Sequence, residues 1–373
     1  MSIEGDITVR IDVRDGAVAA VGIDSTRPAV AGRVLSGKSV GDAVALVPRL
    51  YSICGRAQAV AAQLAATACA ESTPRADTMS TQHVAALEPA LYAEVAFDTL
   101  WRALIDWRRA LGTEPDADTL ARVRGALANN DRTALRAVIE RELLGEACES
   151  WLDADLLALE RWLDAARTPA AQLLCAVFQD NPRQGASVTP LLPSFANEAT
   201  FETVTASLFL DPQFERAPHW AGKAAETGAL ARAQHVPRVA AAIRAYGHGT
   251  LTRLVARLTE LARIVIGRGF GTPIAGRRAL GDGRGLGWVE TARGAVLHLI
   301  ECADGGRNVG DTARVARYRI VAPTEWNFHP CGALAAGLRG LSVTNEAQLR
   351  RRASWLIGAL DPCVAWRLEI GHA

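Results

Sequence analysis

Cysteine is the residue type in this chain with the widest potential chemistry, because a thiolate both binds soft metals and acts as a nucleophile. The 373-residue sequence contains seven cysteines, spread from Cys54 to Cys363 without tight pairing. Such an odd, dispersed set does not form a disulfide framework in a reducing compartment, so each cysteine is either a core residue or a ligand. Four of them stand in apolar surroundings with no second ligand near, which favours core thiols: Cys69, Cys148, Cys175 and Cys302.

Two common signatures of redox and metal sites are missing, because the chain has no CxxC and no HExxH. The glycine run at 281–287 could be mistaken for a phosphate-binding loop, but such a loop opens a helix, and here a strand is predicted to follow. A hairpin or loop role is therefore the favoured interpretation of these glycines.

The charge balance argues against binding to nucleic acids or other polyanions. Lys and Arg together number 41 and Asp and Glu number 40, which gives a formal net charge of +1. No apolar stretch approaches the ~18–20 residues needed to span a bilayer. The first residues carry charge and lack an apolar segment before a cleavage site, so no secretory signal is expected. These features predict a cytoplasmic protein with neither a membrane nor a nucleic-acid partner.

Any site must be positioned by a long helical region that lies between two β regions. Alternating residues over 6–23, interrupted at Asp15-Gly16, predict a β-hairpin, and 288–302 with 316–321 predict a second one. Helical periodicity covers the other segments: 40–70 as one helix or two, 84–182 as several, 225–268 as a long one and 345–360 as the last. The pattern predicts a single α+β domain over 1–373, a mainly helical body in which the N- and C-terminal parts meet.

Six short segments carry a resemblance, although each is weakly specific by itself. They are Ile3-Glu4-Gly5, Ser52-Ile53-Cys54-Gly55, Glu226 to Arg232, Glu290 to Ala295, Ala322 to Pro330, and Asp361-Pro362-Cys363. In this order and at these separations they resemble the large subunit of [NiFe] hydrogenases across nearly the whole chain. Six matches in the right order are hard to obtain by chance, and they imply the α+β fold of that subunit.

The resemblance implies that two of the cysteines are metal ligands. In the family, Arg-Ile-Cys-Gly-x-Cys and Asp-Pro-Cys-x-x-Cys-x-x-His segments supply four thiolates for nickel and iron. Cys54 and Cys363 match the first cysteine of each pair, whereas Ala57 and Trp366 stand at the positions of the bridging cysteines. The family's bimetallic site cannot be built in this way. The chain therefore looks like the hydrogenase accessory proteins of the HupK/HoxV type, which resemble a large subunit with degraded metal motifs.

Other residues that surround the iron in large subunits are retained. The family's arginine and hydroxyl donors to the two cyanides match Arg293 and Thr324, and both groups suit a cyanide nitrogen in a pocket of low dielectric constant. Asp361 and Pro362 belong to the matched C-terminal motif, and Glu4 matches the family's proton-transferring glutamate. The alternative interpretation is structural, with a buried Arg–Asp pair and a strand-end hydroxyl.

Cys331 is a candidate third thiolate, because it closely follows the matched Trp-Asn segment. The alternative is a simple surface or core cysteine. For Cys54 and Cys363 the alternative to a ligand role is that they are inherited but unused.

The resemblance implies an accessory protein, not an enzyme. It would act as a hydrogenase maturation scaffold that transiently holds the Fe(CN)2CO fragment, without nickel because the bridging thiolates are missing. The expected partners are assembly proteins of the HypC/HypD type and the hydrogenase large-subunit precursor. One alternative is a metal-free docking protein that mimics the large subunit, and another is a divergent catalytic subunit.

Overall fold

The first and last strands of the chain lie side by side in one small sheet. The computed structural model describes residues 5–27, 30–51, 53–71, 81–303, 305 and 313–372. Strand β1 (Asp6–Arg14) is antiparallel to β2 (Ala17–Ser25) and parallel to β7 (Ala365–His372). Asp15 and Gly16 form the predicted hairpin turn, with φ values of 50° and 72°. The predicted meeting of the two ends is confirmed, although β7 itself was not predicted.

The second sheet is an antiparallel meander of four strands and not a single hairpin. Its strands are β3 (Ala275–Gly281), β4 (Arg284–Thr291), β5 (Gly294–Cys302) and β6 (Val315–Val321). Asp282 and Gly283 form the β3–β4 turn, so the glycine run has the favoured hairpin role. The expected single strand over 288–302 is wrong, because a tight turn at Arg293 divides it. Both faces of β4 and β5 are buried, so their continuous apolar run conceals this turn.

Helices occupy most of the chain between the strands. The N-terminal ones are α1 (Val30–Leu35), α2 (Val40–Leu50), α3 (Gly55–Cys69) and α4 (Thr81–Trp101). The next are α5 (Trp107–Ala110), α6 (Ala117–Ala128), α7 (Arg132–Val138), α8 (Cys148–Asp153), α9 (Leu156–Ala165), α10 (Pro169–Asp180) and α11 (Glu198–Leu210). The last are α12 (Ala229–Ala233), α13 (Pro237–Tyr246), α14 (Thr250–Val265), α15 (Pro323–Asn327), α16 (Ala333–Leu338) and α17 (Glu346–Leu360). Short π-helical segments, Arg102–Asp106 and Ile139–Leu144, continue α4 and α7.

The single long helix predicted over 225–268 is wrong, because α12, α13 and α14 take its place. Pro237 is the first residue of α13, where its missing N–H costs no hydrogen bond. Gly247 follows the last residue of α13 with a φ of 73°, a left-handed conformation that favours glycine at the end of a helix. The 40–70 stretch forms two helices, α2 and α3, which was one of the two expectations.

Two helices form the framework around which the site is built. Helix α3 packs across β3, β4 and β5, and Gly285 and Gly287 of β4 permit the close approach because a Cβ at either would collide with the backbone of α3. Helix α14 is buried along nearly its whole length against α4, α8, α10, α13 and α17. Within the described ranges, no helix combines the length and the apolarity that crossing a membrane requires.

Candidate functional site

Cys54 is the residue directly before the first turn of α3. It is only 7% exposed, and its Sγ accepts a hydrogen bond from Gln58 Nε2 at 3.5 Å, one helical turn further along. Gln58 is completely buried. A buried amide needs hydrogen-bond partners, and the sulfur of Cys54 is one of them.

Cys363 lies at the other end of the chain, between α17 and β7. Asp361 follows α17 in the left-handed conformation, with a φ of 53°, and Pro362 prevents the helix from continuing. The Sγ of Cys363 accepts a hydrogen bond from Arg27 Nη1 at 2.8 Å and lies 3.1 Å from Thr324 Oγ1. Thr324 Oγ1 also accepts the backbone N–H of Cys363 at 3.3 Å. Arg27 lies outside every matched motif and was not predicted.

The two cysteines lie close enough for the charge on one to influence the other. Burial and the neighbouring Cys363 raise the pKa of Cys54 to about 12, while the hydrogen bond from Gln58 and the positive charge of Arg293 act in the opposite direction. Burial acts to lower the pKa of Arg293, but nearby carboxylates and both cysteines raise it above its ordinary value. The structure therefore brings together Cys54, Cys363 and Arg293.

Arg293 belongs to a buried network of charges beside the cysteines. Its Nη1 donates to Asp98 Oδ2 at 2.7 Å, and its Nε lies 3.4 Å from Asp361 Oδ2. Asp361 also pairs with Arg257 at 2.5 Å and with Arg102 at 2.8 Å. Burial acts to raise the pKa of Asp361, but these arginines lower it far below its ordinary value. The buried Arg–Asp pair of the structural interpretation is thus present, yet Arg293 Nε is buried without a hydrogen-bond partner.

The backbone at Arg293 is held by residues from two other matched segments. Asn327 Nδ2 donates to Arg293 O at 3.1 Å, and Asn327 Oδ1 accepts the backbone N–H of Thr227 at 3.0 Å. Gly228 lies so close that a Cβ there would be 2.8 Å from Arg293 O. Three segments that carry the resemblance therefore meet around one backbone turn and hold the backbone of Arg293 in place.

Two cavities open beside this network within the described part of the chain. One has a volume of about 900 Å³, and its lining includes Asp98 and Arg293. The other has a volume of about 690 Å³, and its lining includes Asp361 and Pro362. Arg102 contributes to the lining of both cavities, and neither lining includes Cys54 or Cys363.

No family model matches the sequence, but whole proteins are similar to it over nearly its full length. HoxV of Cupriavidus necator, a hydrogenase expression/formation protein, is 32% identical over 394 residues, which cover 98% of this chain and 97% of that protein. The chain belongs to the HoxV/HupK family. HupK of Rhizobium leguminosarum bv. viciae, also a hydrogenase expression/formation protein, is 31% identical over 394 residues and covers 99% and 97% of the two chains. The resemblance to accessory proteins of this type is confirmed.

This HoxV/HupK-family chain has the fold of [NiFe] and [NiFeSe] hydrogenase large subunits. The Ni-Fe-Se hydrogenase of Desulfovibrio vulgaris Hildenborough in its as-isolated oxidized state superposes with a TM-score of 0.60 at 14% identity over 94% of each chain. The reduced, active Ni-Fe-Se hydrogenase of Desulfomicrobium baculatum gives 0.58 at 13% identity over 95% of each. The predicted α+β fold is confirmed.

Ala57 and Trp366 of this HoxV/HupK-family chain match the bridging cysteines of [NiFe] hydrogenase large subunits, and neither provides a thiolate. Ala57 lies in the first turn of α3, and its backbone N–H donates to Glu94 Oε1 at 3.1 Å, while that of Arg56 donates to Glu94 Oε2 at 2.9 Å. Burial, assisted by the charge of Asp98, raises the pKa of Glu94 to about 7. Trp366 lies in β7 with 38% of its surface exposed. Glu94, which caps α3 from α4, was not predicted.

The structure does not bring Cys331 together with the other two candidate ligands. Cys331 is exposed, and its backbone N–H donates to His329 Nδ1 at 3.0 Å. The described ranges contain no group of three or more His, Cys, Asp or Glu side chains arranged to hold a metal ion. The alternative interpretation, a surface cysteine, fits this position. The predicted role of Glu4 stays a prediction, since Glu4 lies outside the described residues.

A buried chain of hydrogen bonds leads from Cys54 into the second sheet. Gln58 Oε1 lies 2.7 Å from His298 Nε2, and His298 Nδ1 lies 2.8 Å from Tyr318 Oη. Burial lowers the pKa of His298 to about 3, so the imidazole is neutral. Because Gln58 Nε2 donates to the sulfur, its Oε1 accepts from His298 Nε2, and Nδ1 accepts from the hydroxyl of Tyr318. Every donor in the chain then points toward Cys54.

Among the cysteines expected in the core, Cys148 and Cys175 are buried, as predicted. Cys69 and Cys302 differ from the expectation, because their Sγ atoms lie 2.7 Å apart and Cys302 is partly exposed. The prediction that neither has a second cysteine nearby was wrong. A separation of 233 residues conceals this pair in the sequence.

Proposed function

We propose that this protein transiently holds an Fe(CN)2CO fragment during assembly of a [NiFe] hydrogenase active site. Relatives named hydrogenase expression/formation proteins match nearly the full chain, which supports a role in hydrogenase maturation. The observation that carries the finer proposal is that Cys54 and Cys363, from distant parts of the chain, are both buried and lie near each other and near Arg293.

The two cysteines supply the ligands for this cargo. A thiolate is a soft ligand that suits iron bearing cyanide and carbon monoxide. Cys54 and Cys363 are both 7% exposed, so iron bound between them would be shielded from water. Because Ala57 and Trp366 replace the bridging thiolates, the pocket offers two thiolates where a catalytic subunit offers four. The cargo can therefore leave again.

Arg293 and Thr324 orient the cyanide ligands in this proposal. A cyanide nitrogen is a strong acceptor where water is excluded, and Arg293 Nε is a buried donor that forms no hydrogen bond, although it lies 3.4 Å from Asp361 Oδ2. The hydroxyl of Thr324 lies 3.1 Å from the Sγ of Cys363, so it stands beside any ligand on that sulfur. Asp361 contributes indirectly by pairing with Arg293, and Pro362 sets the path of the backbone into Cys363.

Delivery and transfer require partners, and two classes follow from this proposal. Iron-cofactor assembly proteins of the HypC/HypD type would deliver the fragment, and the hydrogenase large-subunit precursor would receive it. The two cavities that share Arg102 reach Arg293 and Asp361, so they offer a partner access to the charged residues beside the cysteines. Pull-downs from hydrogenase-expressing cells should recover the assembly proteins. A stable one-to-one complex with the hydrogenase small subunit would contradict the proposal.

The direct test is infrared spectroscopy together with iron analysis. Protein purified from cells that carry the accessory genes should contain iron and show bands in the cyanide and carbonyl stretching regions. Cys54→Ser and Cys363→Ser should both weaken these signals, whereas Cys175→Ser, at a site of similar burial, should keep them at the wild-type level. Iron and infrared signals equal to wild type in both ligand variants would show that the two cysteines do not hold the iron. Absence of both signals in wild type would favour the metal-free docking function instead.

A second measurement separates a scaffold from a catalytic subunit. Without the bridging thiolates, the purified protein should contain substoichiometric nickel and should not reduce an artificial dye with hydrogen. Stoichiometric nickel together with dye reduction would support the divergent catalytic subunit.

A further inference from the structure

Cys69 and Cys302 form a second thiol pair, away from the cargo pocket. The Sγ of Cys69 lies 2.7 Å from the Sγ of Cys302 and 2.7 Å from the carbonyl oxygen of Gly283. The backbone N–H of Cys302 donates to the same carbonyl at 2.8 Å. Both cysteines are thus anchored at the β3–β4 turn, and the backbones of α3 and β5 hold their sulfur atoms in contact.

The two thiols differ in access and in ionisation. Cys69 is 3% exposed, whereas Cys302 is partly open to solvent. The hydrogen bond from Cys69 lowers the pKa of Cys302, and the same contact, together with burial, raises the pKa of Cys69. An accessible cysteine that ionises first, next to a buried second cysteine, is the arrangement of redox-active thiol pairs.

We propose that Cys69 and Cys302 form a reversible disulfide by exchange with a low-molecular-weight disulfide. The Cys302 thiolate attacks one sulfur of the oxidant, which forms a mixed disulfide and releases one thiolate. Cys69 then loses its proton to solvent and attacks the sulfur of Cys302, which releases the second thiolate. The two cysteines lose two electrons in total, and the oxidant gains them as it becomes two thiols.

This site is independent of the proposed cargo pocket but acts on the same helix. Helix α3 has 15 residues, so Cys54 and Cys69 lie at its opposite ends. A rise of 1.5 Å per residue separates these ends by about 22 Å. A disulfide would tie the C-terminal end of α3 to the end of β5. It would therefore limit the displacement of α3 along the sheet without any contact with the cargo ligands.

The test uses the full-length protein, first reduced and then equilibrated with mixtures of reduced and oxidised glutathione. After an acid quench, free thiols are alkylated and the digested protein is analysed by mass spectrometry. A peptide pair linked through Cys69 and Cys302 is expected. Cys331 is exposed and serves as an internal control, because a thiol without a partner should stop at the mixed disulfide. The proposal is overturned if the linked peptides are absent at ratios of oxidised to reduced glutathione at which Cys331 is already glutathionylated.

Two variants test the order of attack. Cys69→Ser should trap Cys302 as a stable mixed disulfide, and Cys302→Ser should leave Cys69 as a free thiol. Cys175→Ser is the matched control and should still give the linked peptides. If Cys69 in Cys302→Ser is glutathionylated to the same extent as Cys302 in Cys69→Ser, the assignment of Cys302 as the attacking thiol is overturned. None of these measurements depends on iron, so they are separate from the test of the scaffold function.

Discussion

The two cysteines proposed to hold the cargo differ in the number and the charge of the polar groups that contact their sulfur atoms. The Sγ of Cys363 has two polar partners within 3.1 Å, the guanidinium of Arg27 and the hydroxyl of Thr324. The Sγ of Cys54 has one, the amide of Gln58 at 3.5 Å. A guanidinium stabilises negative charge on sulfur more strongly than a long contact with a neutral amide does. We infer that Cys363 is the primary anchor for the cargo and that Cys54 completes the site.

The largest predicted effect is the loss of iron in the ligand variants. Cys363→Ser should abolish bound iron, whereas Cys54→Ser should reduce it and leave a weakly held fraction, because the better supported thiolate remains. Iron per chain and the intensity of the carbonyl band measure both. Burying a hydroxyl in place of a thiol costs roughly 1–2 kcal/mol, so the fold should survive.

One result would contradict the assignment of Cys363 as the primary anchor. If Cys54→Ser loses more iron than Cys363→Ser, the primary anchor is Cys54 and the partners of Cys363 serve structure. Cys175→Ser, at 8% exposure, controls for the effect of a buried serine.

Arg293 acts on both cysteines, so its replacement should weaken iron binding at both and leave the difference between them in place. Arg293→Ala leaves Asp98 and Asp361 buried with one cation fewer, and breaking such a pair costs about 3–5 kcal/mol. Arg293→Lys keeps the charge but lacks the planar fork, so it should recover part of the stability and little of the iron. Urea unfolding and iron analysis of the two variants separate the structural role from the cargo role. Equal iron in Arg293→Lys and wild type would leave only the structural role.

The order of short motifs was sufficient to predict the fold, whereas the ligand roles of the matched residues stay a prediction. Three matched segments meet at the turn of Arg293, and one of them carries Thr324, whose Oγ1 contacts the Sγ of Cys363. Both Cys54 and Cys363 lie close enough to Arg293 to affect its pKa. Conversely, Cys331 follows a matched segment closely but is exposed, because the chain turns outward at His329 and Pro330. Proximity in sequence did not determine proximity in space.

The residues that sequence reasoning missed are those that act through distant partners. Gln58 could have been found, since it lies one helical turn after Cys54. His298 also has a signal, because it is a polar residue inside an apolar strand. Arg27, Glu94 and the contact between Cys69 and Cys302 have none. Their roles depend on tertiary contacts between elements far apart in the chain, and no local pattern specifies such contacts.

Glu94 allows the Cys54 side of the site to be tested through pH. Its pKa is raised to about 7, so the folded protein binds a proton there that the unfolded chain releases near pH 4.5. Its contribution to stability is therefore complete below about pH 4.5 and is lost as pH rises through 7. The total change is roughly 3 kcal/mol, since each pKa unit corresponds to about 1.4 kcal/mol.

Glu94→Gln removes this titration, so it is the variant that measures it. Wild type should lose stability relative to Glu94→Gln between pH 5 and pH 8, as followed by urea unfolding at several pH values. Parallel pH profiles of the two proteins would show that Glu94 titrates at its ordinary pKa in the folded state.

The smallest predicted effect concerns Thr324, which acts on the Cys363 side alone. Thr324→Val has nearly the same shape but cannot accept the backbone N–H of Cys363, now bonded at 3.3 Å, and it removes the polar partner at 3.1 Å from the sulfur. Leaving a buried N–H unpaired costs about 1–3 kcal/mol, and Thr324→Ser should avoid most of that cost. If the hydroxyl also orients a cyanide, Thr324→Val should shift the cyanide bands of the loaded protein, and Thr324→Ser should restore them. Loss of stability without any shift of these bands would mean that the hydroxyl positions Cys363 and does not contact the cargo.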